Sequence, residues 1–262
     1  MKDPNRSSAG LTIVAAEEIR NLWNAGPGMW VMLLLSMALS VSVVAISRTL
    51  ATDLLDAREG AVMLVRLATT VGGGLALLFA ADSISGERER ATLESLMLTP
   101  TRPSHFVAGK GLAAITLWVG CYAVSIPYLI VIGGVTGALR DTVYASGVAG
   151  GLAAVLMVCV GLLVSIRTSS NRSSVLVSVL LIAVLAFPGL LPTSATSHGF
   201  AEWLVRVDPL SSLVRFLSLV VVDQEPMTGQ LVWLISPIGF IAVAVVALGV
   251  SSRSVPLDPS MS

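Results

Sequence analysis

Residues Ala145–Ile166 read ASGVAGGLAAVLMVCVGLLVSI, twenty-two positions without an Asp, Glu, Lys, Arg or His. Wound as a helix, the run is about 33 Å long at about 1.5 Å per residue, enough to cross a hydrocarbon layer of about 30 Å. A helix on the surface of a soluble domain keeps one polar face, and this run has none. Working outward, five further stretches share its character: Met29–Ser47, Ala61–Ala81, Leu112–Ile132, Ser174–Pro192 and Gln230–Gly249. The six cover nearly half of the chain, and what lies between them is too short for a separate soluble domain. The whole of 1–262 therefore reads as one all-α transmembrane domain with six spanning helices. Its parts are an N-terminal segment and turn (1–28), spans one and two (29–81), a charged connection (82–111), spans three to five (112–192), an outer segment (193–229), and span six with its tail (230–262).

Composition excludes the main alternatives. The 262 residues are 55% hydrophobic and only 12% charged, with a mean hydropathy of +0.86. Soluble domains carry about 25% charged residues, and a domain of this size cannot hide such an apolar excess in one core. Sixteen basic residues balance sixteen acidic ones, leaving no net positive charge for a nucleic acid partner. Cys121 and Cys159 lie inside apolar runs and read as small buried hydrophobes. His105 and His198 are far apart, and no Cys/His spacing suits a metal. No catalytic set or cofactor site is expected in this chain. A phosphate-binding loop needs G-x-x-x-x-G-K-[S/T], but Gly109-Lys110 is followed by Gly111, and Ser104 stands where the first glycine belongs.

An excess of Lys and Arg marks the cytoplasmic loops of membrane proteins. With the N-terminus inside, the inner segments carry Lys2, Arg6, Arg20, Arg88, Arg90, Arg102, Lys110, Arg167, Arg172 and Arg253. The outer side carries Arg48, Arg58, Arg140, Arg206 and Arg215, with Arg66 just inside the outer end of span two. Ten against six places both termini in the cytosol, in the cell (plasma or inner) membrane. Arg66 is expected to snorkel to the outer surface.

Two segments are amphipathic without spanning. In Leu11–Trp23, Leu11, Ala15, Ile19, Leu22 and Trp23 share one side of a helix, and Glu17, Arg20, Asn21 and Asn24 share the other. That pattern predicts a helix lying in the membrane interface with Trp23 at headgroup level. Pro209–Val222, 14 residues long, fits a re-entrant helix on the outer side better than a span; the alternative, a crossing, would make seven spans and put the C-terminus outside. Asp208 is its N-cap, Pro209 its first residue, and Leu210, Val214, Leu217 and Val221 its apolar stripe. Within the spans, Gly72, Gly73, Gly74, Gly147, Gly151, Pro127 and Pro237 mark either close helix packing or a kinked pathway wall.

The charged connection between spans two and three carries the functional signal. On a helix, Glu87, Arg90 and Glu94 share a face and can pair at i,i+3 and i,i+4. Leu93, Leu96 and Met97 share another face that needs a cover, and Pro100 and Pro103 end the helix. A short, charged, partly apolar helix projecting into the cytosol suits docking against a cytoplasmic partner.

Ser85-Gly86-Glu87-Arg88-Glu89-Arg90-Ala91-Thr92-Leu93-Glu94, then Leu98-Thr99-Pro100 and Gly109-Lys110, resembles the signature of ABC-2-type transporter permeases, with Ala91 in place of a common glycine. The resemblance implies a transmembrane subunit that pairs with a second permease copy or a homologous permease. It also implies that each copy presents this helix to a cytosolic ABC ATPase subunit, two of which bind ATP and Mg. Glu87, Arg88, Glu89 and Arg90 would form the polar root of the coupling helix. Leu93, Glu94, Leu96, Met97, Thr99 and Pro100 would belong to the part that contacts the ATPase, with Arg167 and Arg172 a candidate second contact. The expected function is ATP-driven export, and the apolar, aromatic-poor spans favour a lipophilic or lipid-like cargo in contact with membrane lipid. A role in cell-envelope assembly or protein maturation is the alternative within the family. An ion-coupled carrier is the alternative outside it, opposed by spans that hold no ionisable residue other than Arg66.

Overall fold

In lipid, an apolar segment satisfies its backbone only by internal hydrogen bonding, so these runs fold as helices. A computed structural model describes residues 4–24, 28–49, 54–89, 103–137, 139–186 and 206–252. In chain order they form α1 (Pro4–Asn24), α2 (Gly28–Thr49), α3 (Leu54–Glu89), α4 (Pro103–Thr136), α5 (Leu139–Arg167), α6 (Asn171–Ala186) and α7 (Pro209–Val221). A 3-10 segment (Met227–Leu234) then runs directly into α8 (Ile235–Ser251). No strand occurs among the described residues, and the chain is an all-α membrane protein. Five segments are long and apolar enough to cross a bilayer: Gly28–Ile46, Arg58–Glu89, Ser104–Val131, Leu139–Arg167 and Met227–Ser251. The remaining predicted span, Ser174–Pro192, is represented by the 16 residues of α6, and 187–192 lie outside the described residues.

The centre of the bundle is the pair α3 and α5. Small residues let them approach closely: a Cβ added at Gly161 would stand 2.5 Å from the Leu77 carbonyl oxygen. The aromatic pair Trp118 and Tyr122 of α4, stacked with centroids 5.3 Å apart, fills the space left by small residues on both neighbours. A Cβ at Gly72 would meet Trp118 and Cys121, at Gly147 the Tyr122 hydroxyl, and at Gly151 the Trp118 ring. Three of the flagged glycines thus sit at packing contacts, whereas Gly73 and Gly74 border a cavity of about 360 Å³ between α3, α5, α6 and α7. Cys121 and Cys159 are both buried and unbridged.

From α3 to α6 successive helices alternate in direction, and α8 runs the same way as α3 and α5, which collects particular ends together. Ile84 of α3, Val107 of α4 and Leu162 of α5 share one apolar cluster with Leu248 of α8. The far end of the bundle gathers Val65, Leu129 and Ala145 around Leu213, Phe216, Leu217 and Val220 of α7. Gly137 (φ 73°) turns the chain there from α4 into α5.

Several expectations are corrected. The N-terminal helix is longer than Leu11–Trp23, and its apolar face packs on α4: Trp23 Nε1 donates to Thr116 Oγ1 at 3.4 Å, so the indole is docked on a helix. Asp208 caps α7 as expected, its Oδ2 accepting from the Ser211 N–H at 2.7 Å. The buried stripe of α7, however, is Leu213, Phe216, Leu217 and Val220 with Val221, while Leu210 and Val214 are half-buried. Helices α3, α5, α6 and α8 and the 3-10 segment pack around α7, so its buried face is set by that pocket and not by a single apolar plane. Pro127 lies inside α4 as expected. Pro237 lies inside the span Met227–Ser251 as expected, just past the point where the 3-10 segment passes into α8, and its missing N–H leaves a carbonyl of the preceding turn without that donor.

Candidate functional site

The charged root occupies the end of the bundle where α1, α3, α4, α5 and α6 converge. No proline lies between Ala81 and Glu89, and Asp82–Glu89 continue α3 as its last two turns in spite of Gly86. Pro103 is the first residue of α4, and the boundaries drawn at Asp82 and Leu112 fall inside these helices. Arg90, Leu93, Glu94, Leu96, Met97, Thr99 and Pro100 lie outside the described residues. Glu87, Arg88 and Glu89 do not, and each is held by a different element.

Lys110 is the centre of the arrangement. It is only 2% exposed, and its Nζ donates to Glu87 Oε1 of α3 and to Glu18 Oε1 of α1, each at 2.7 Å. The Phe106 ring, one turn earlier in α4, lies with its centroid 4.9 Å from the same nitrogen. A lysine is tolerated at such depth only when paired, and here one ammonium serves two carboxylates on two other helices. Gly109 permits this: a Cβ there would stand 2.9 Å from Val14 Cγ1, so the absent side chain lets α1 cross α4 beside Lys110.

The next two root residues reach the connection between α5 and α6. Arg88 Nη1 donates to the Thr168 carbonyl at 2.6 Å. Glu89 Oε2 accepts from the Asn171 N–H at 3.1 Å, placing a negative charge at the N-terminus of α6, where the helix dipole favours it. Arg167 and Arg172 are exposed, and it is backbone groups of Thr168 and Asn171 that meet the root.

One turn deeper, serine hydroxyls bond to the backbone of α3. Ser165 Oγ of α5 accepts from the N–H groups of Ile84 (3.1 Å) and Ser85 (3.0 Å). The Ala81 carbonyl accepts from Ser85 Oγ and from Ser174 Oγ of α6. All four serines of this seam (Ser83, Ser85, Ser165 and Ser174) are buried.

Sequence reasoning missed Glu18, Lys110, Ser165 and Asn171. A signal existed for the first two. Glu18 falls between Ala15 and Leu22 on the apolar side of α1, and Lys110 sits between two glycines at the head of an apolar run. Each is a charge placed where burial is expected, which calls for a partner. Among the described residues, no group of three His, Cys, Asp or Glu is placed to hold a metal.

The polar root thus ties five helices of a multi-pass bundle together at one end. The sequence matches the family model of the ABC-2 family transporter protein over residues 17–246, from one residue before Glu18 to within α8. The chain belongs to that family and is the membrane-spanning permease of an ABC transporter. No curated protein matches the chain.

Proposed function

We propose that this permease is worked by ATP hydrolysed in a separate pair of cytosolic ATPase subunits, and that it exports a lipophilic or lipid-like cargo. The observation that carries the reading is the Lys110 junction together with the bonds of Arg88 and Glu89. These hold both helix ends that flank 90–102 to α1, α5 and α6. A push on the intervening segment, which bears Arg90, Leu93, Glu94, Leu96, Met97, Thr99 and Pro100, would reach five helices at once. ATP and Mg would be held by the partner, and this chain would supply the lever. The C-terminal end of α8 lies at the same end as the root, which supports cytosolic termini and an inner or plasma membrane location. A second copy or a homologous permease would complete the pathway, and the exposed apolar face of α2, with Trp30, Leu34 and Met37, offers surface for lipid or for that copy. The apolar cavity beside Gly73 and Gly74 supports an apolar cargo.

The test is purification of the chain from its native membrane in gentle detergent, with its companions identified by mass, followed by reconstitution. A P-loop ATPase should co-purify and be lost when Leu93 and Met97 are made charged. Replacing Glu87 and Glu89 with alanine should leave ATP hydrolysis in place while transport falls. Transport that survives the double change, or a chain that purifies without any ATPase, refutes the coupling reading.

A further inference from the structure

Four basic side chains among the described residues have an evident occupation. Lys110 and Arg88 are bonded at the root, Arg58 Nη1 reaches the Val222 carbonyl, and the Arg206 guanidinium lies over the Trp233 ring at 5.6 Å. Arg66 differs. It is set among Val62, Met63, Leu64, Val65 and Leu67 in a spanning helix, and no hydrogen bond or ion pair engages it among the described residues. Its side chain is exposed, so the guanidinium is open to a ligand from outside the bundle.

Arg66 lines the 360 Å³ cavity, and a second polar group there also lacks a partner. Ser211 of α7 is 3% exposed, lines the same cavity, and its hydroxyl has no hydrogen bond. It lies close enough to the Asp208 carboxyl to help hold that group down, but without hydrogen-bond geometry. The Asp208 Oδ2 is engaged by the Ser211 N–H instead. A buried hydroxyl left unmade costs free energy, and a guanidinium lining the same cavity adds a charged donor suited to an oxyanion. Below them the wall turns apolar: Gly73, Gly74, Met157, Ile182 and Leu185. Gly73 and Gly74 lie seven and eight residues beyond Arg66, about 10–12 Å along the helix at about 1.5 Å per residue.

Arg66 and Glu87 are separated by twenty-one residues of the same helix, about 31 Å. With the root at one surface, Arg66 lies at the level of the opposite one, since the hydrocarbon layer is about 30 Å thick. The head of the cavity is thus at headgroup depth and its body within the hydrocarbon. Taking roughly 30 Å³ for each methylene, the share of a water in the liquid, the cavity holds about a dozen carbons of one chain.

We propose that this cavity is a binding site for a single-chain anionic amphiphile, its head on Arg66 and the Ser211 hydroxyl and its chain along Gly73 and Gly74. The proposal narrows the cargo class suggested above and rests on that reading only for the bound molecule's being cargo; binding itself requires no transport.

The experiment uses the full chain in nonionic detergent, titrated with lysophosphatidylglycerol and with a monoacylglycerol of equal chain length. The anionic probe should bind at least tenfold more tightly. Arg66→Gln should remove that preference while leaving the neutral probe's affinity, Arg66→Lys should keep most of it, and Ser211→Ala should reduce it severalfold. Gly74→Leu, which fills the apolar wall, should weaken both probes. Equal affinity for the two probes in the unaltered chain, or a preference that survives Arg66→Gln in protein of unchanged Tm, overturns the site. Competition by millimolar inorganic phosphate alone would show an anion site without an acyl subsite and would overturn it as well. Binding that persists in a chain that fails to export the same probe leaves the site standing and removes the cargo reading.

Discussion

Replacing Lys110 with methionine keeps the length and bulk of the side chain and deletes the charge. Glu87 and Glu18 are then left facing each other across the vacated point. Both oxygens lie 2.7 Å from one nitrogen, so they are separated by at most twice that distance. Two unit charges about 5 Å apart repel by about 3 kcal/mol at an effective dielectric constant of about 20. That agrees with the roughly 3–5 kcal/mol lost when one partner of a buried pair is removed. The carboxylates are about one-fifth exposed, which keeps the expected loss near the lower figure. Thermal unfolding of the purified chain should show it as a fall of about 6–12 °C in Tm. The decisive comparison is the triple variant Lys110→Met, Glu18→Gln, Glu87→Gln. With no uncompensated charge it should regain most of the lost stability, while transport should remain impaired because α1 is no longer tied to α3. A Lys110→Met protein as stable as the unaltered one, or a triple variant no better than the single one, would refute the reasoning.

Other perturbations probe the remaining features. Gly161→Ala sets a Cβ 2.5 Å from the Leu77 carbonyl oxygen, so α3 and α5 must part; a loss of about 1–3 kcal/mol is expected, and an unchanged Tm would deny the close crossing. Ser165→Ala removes the acceptor shared by the Ile84 and Ser85 N–H groups. Amide exchange at those two positions should accelerate relative to the rest of α3, and unaltered protection would mean that Ser165 does not engage them. Asp208→Ala should destabilise α7 by about 0.5–2 kcal/mol through loss of the cap. Asp208→Asn keeps an equivalent cap without the charge. Burial raises the Asp208 carboxyl above its ordinary value, so the folded state favours the protonated form, and the charge weakens the fold increasingly as pH rises through the raised value. The asparagine variant should therefore be the more stable one at neutral pH, with the advantage shrinking in acid; an advantage that grew on acidification would contradict the sign.

The helical architecture was legible because lipid imposes it: an uncharged run of twenty residues has one way to bond its backbone. Capping by Asp208 and the entry at Pro209 were legible for a local reason, since both depend on neighbours in sequence. The arrangement around Lys110 was not, because its partners lie 23 and 92 positions away and neither falls at a helical spacing from it. Glu18 was overlooked because the pattern of α1 was sorted into an apolar and a polar side, and a carboxylate inside the apolar stripe fitted neither. The face of α7 was misjudged for a related reason. A helix enclosed by several neighbours buries serines as readily as leucines, as Ser211 and Ser212 show. Of the charged connection, 82–89 and 103–111 fall within the described residues, and the part expected to contact the ATPase does not.

The 3-10 winding of Met227–Leu234 gives the last helix an adjustable length. Eight residues advance about 16 Å at about 2.0 Å each, against about 12 Å as α-helix. Rewinding that stretch would draw its outer end inward by about 4 Å. It would also swing that end around the axis by about 160°, since each residue turns about 120° in one form and about 100° in the other. Trp233 stands within the stretch and Pro237 just beyond it. Having no N–H, the proline places no demand on a carbonyl of the preceding turn, so the winding there can change without breaking a bond to it. A small screw motion of this kind would re-aim the outer rim of the bundle while α8 itself stays where it is.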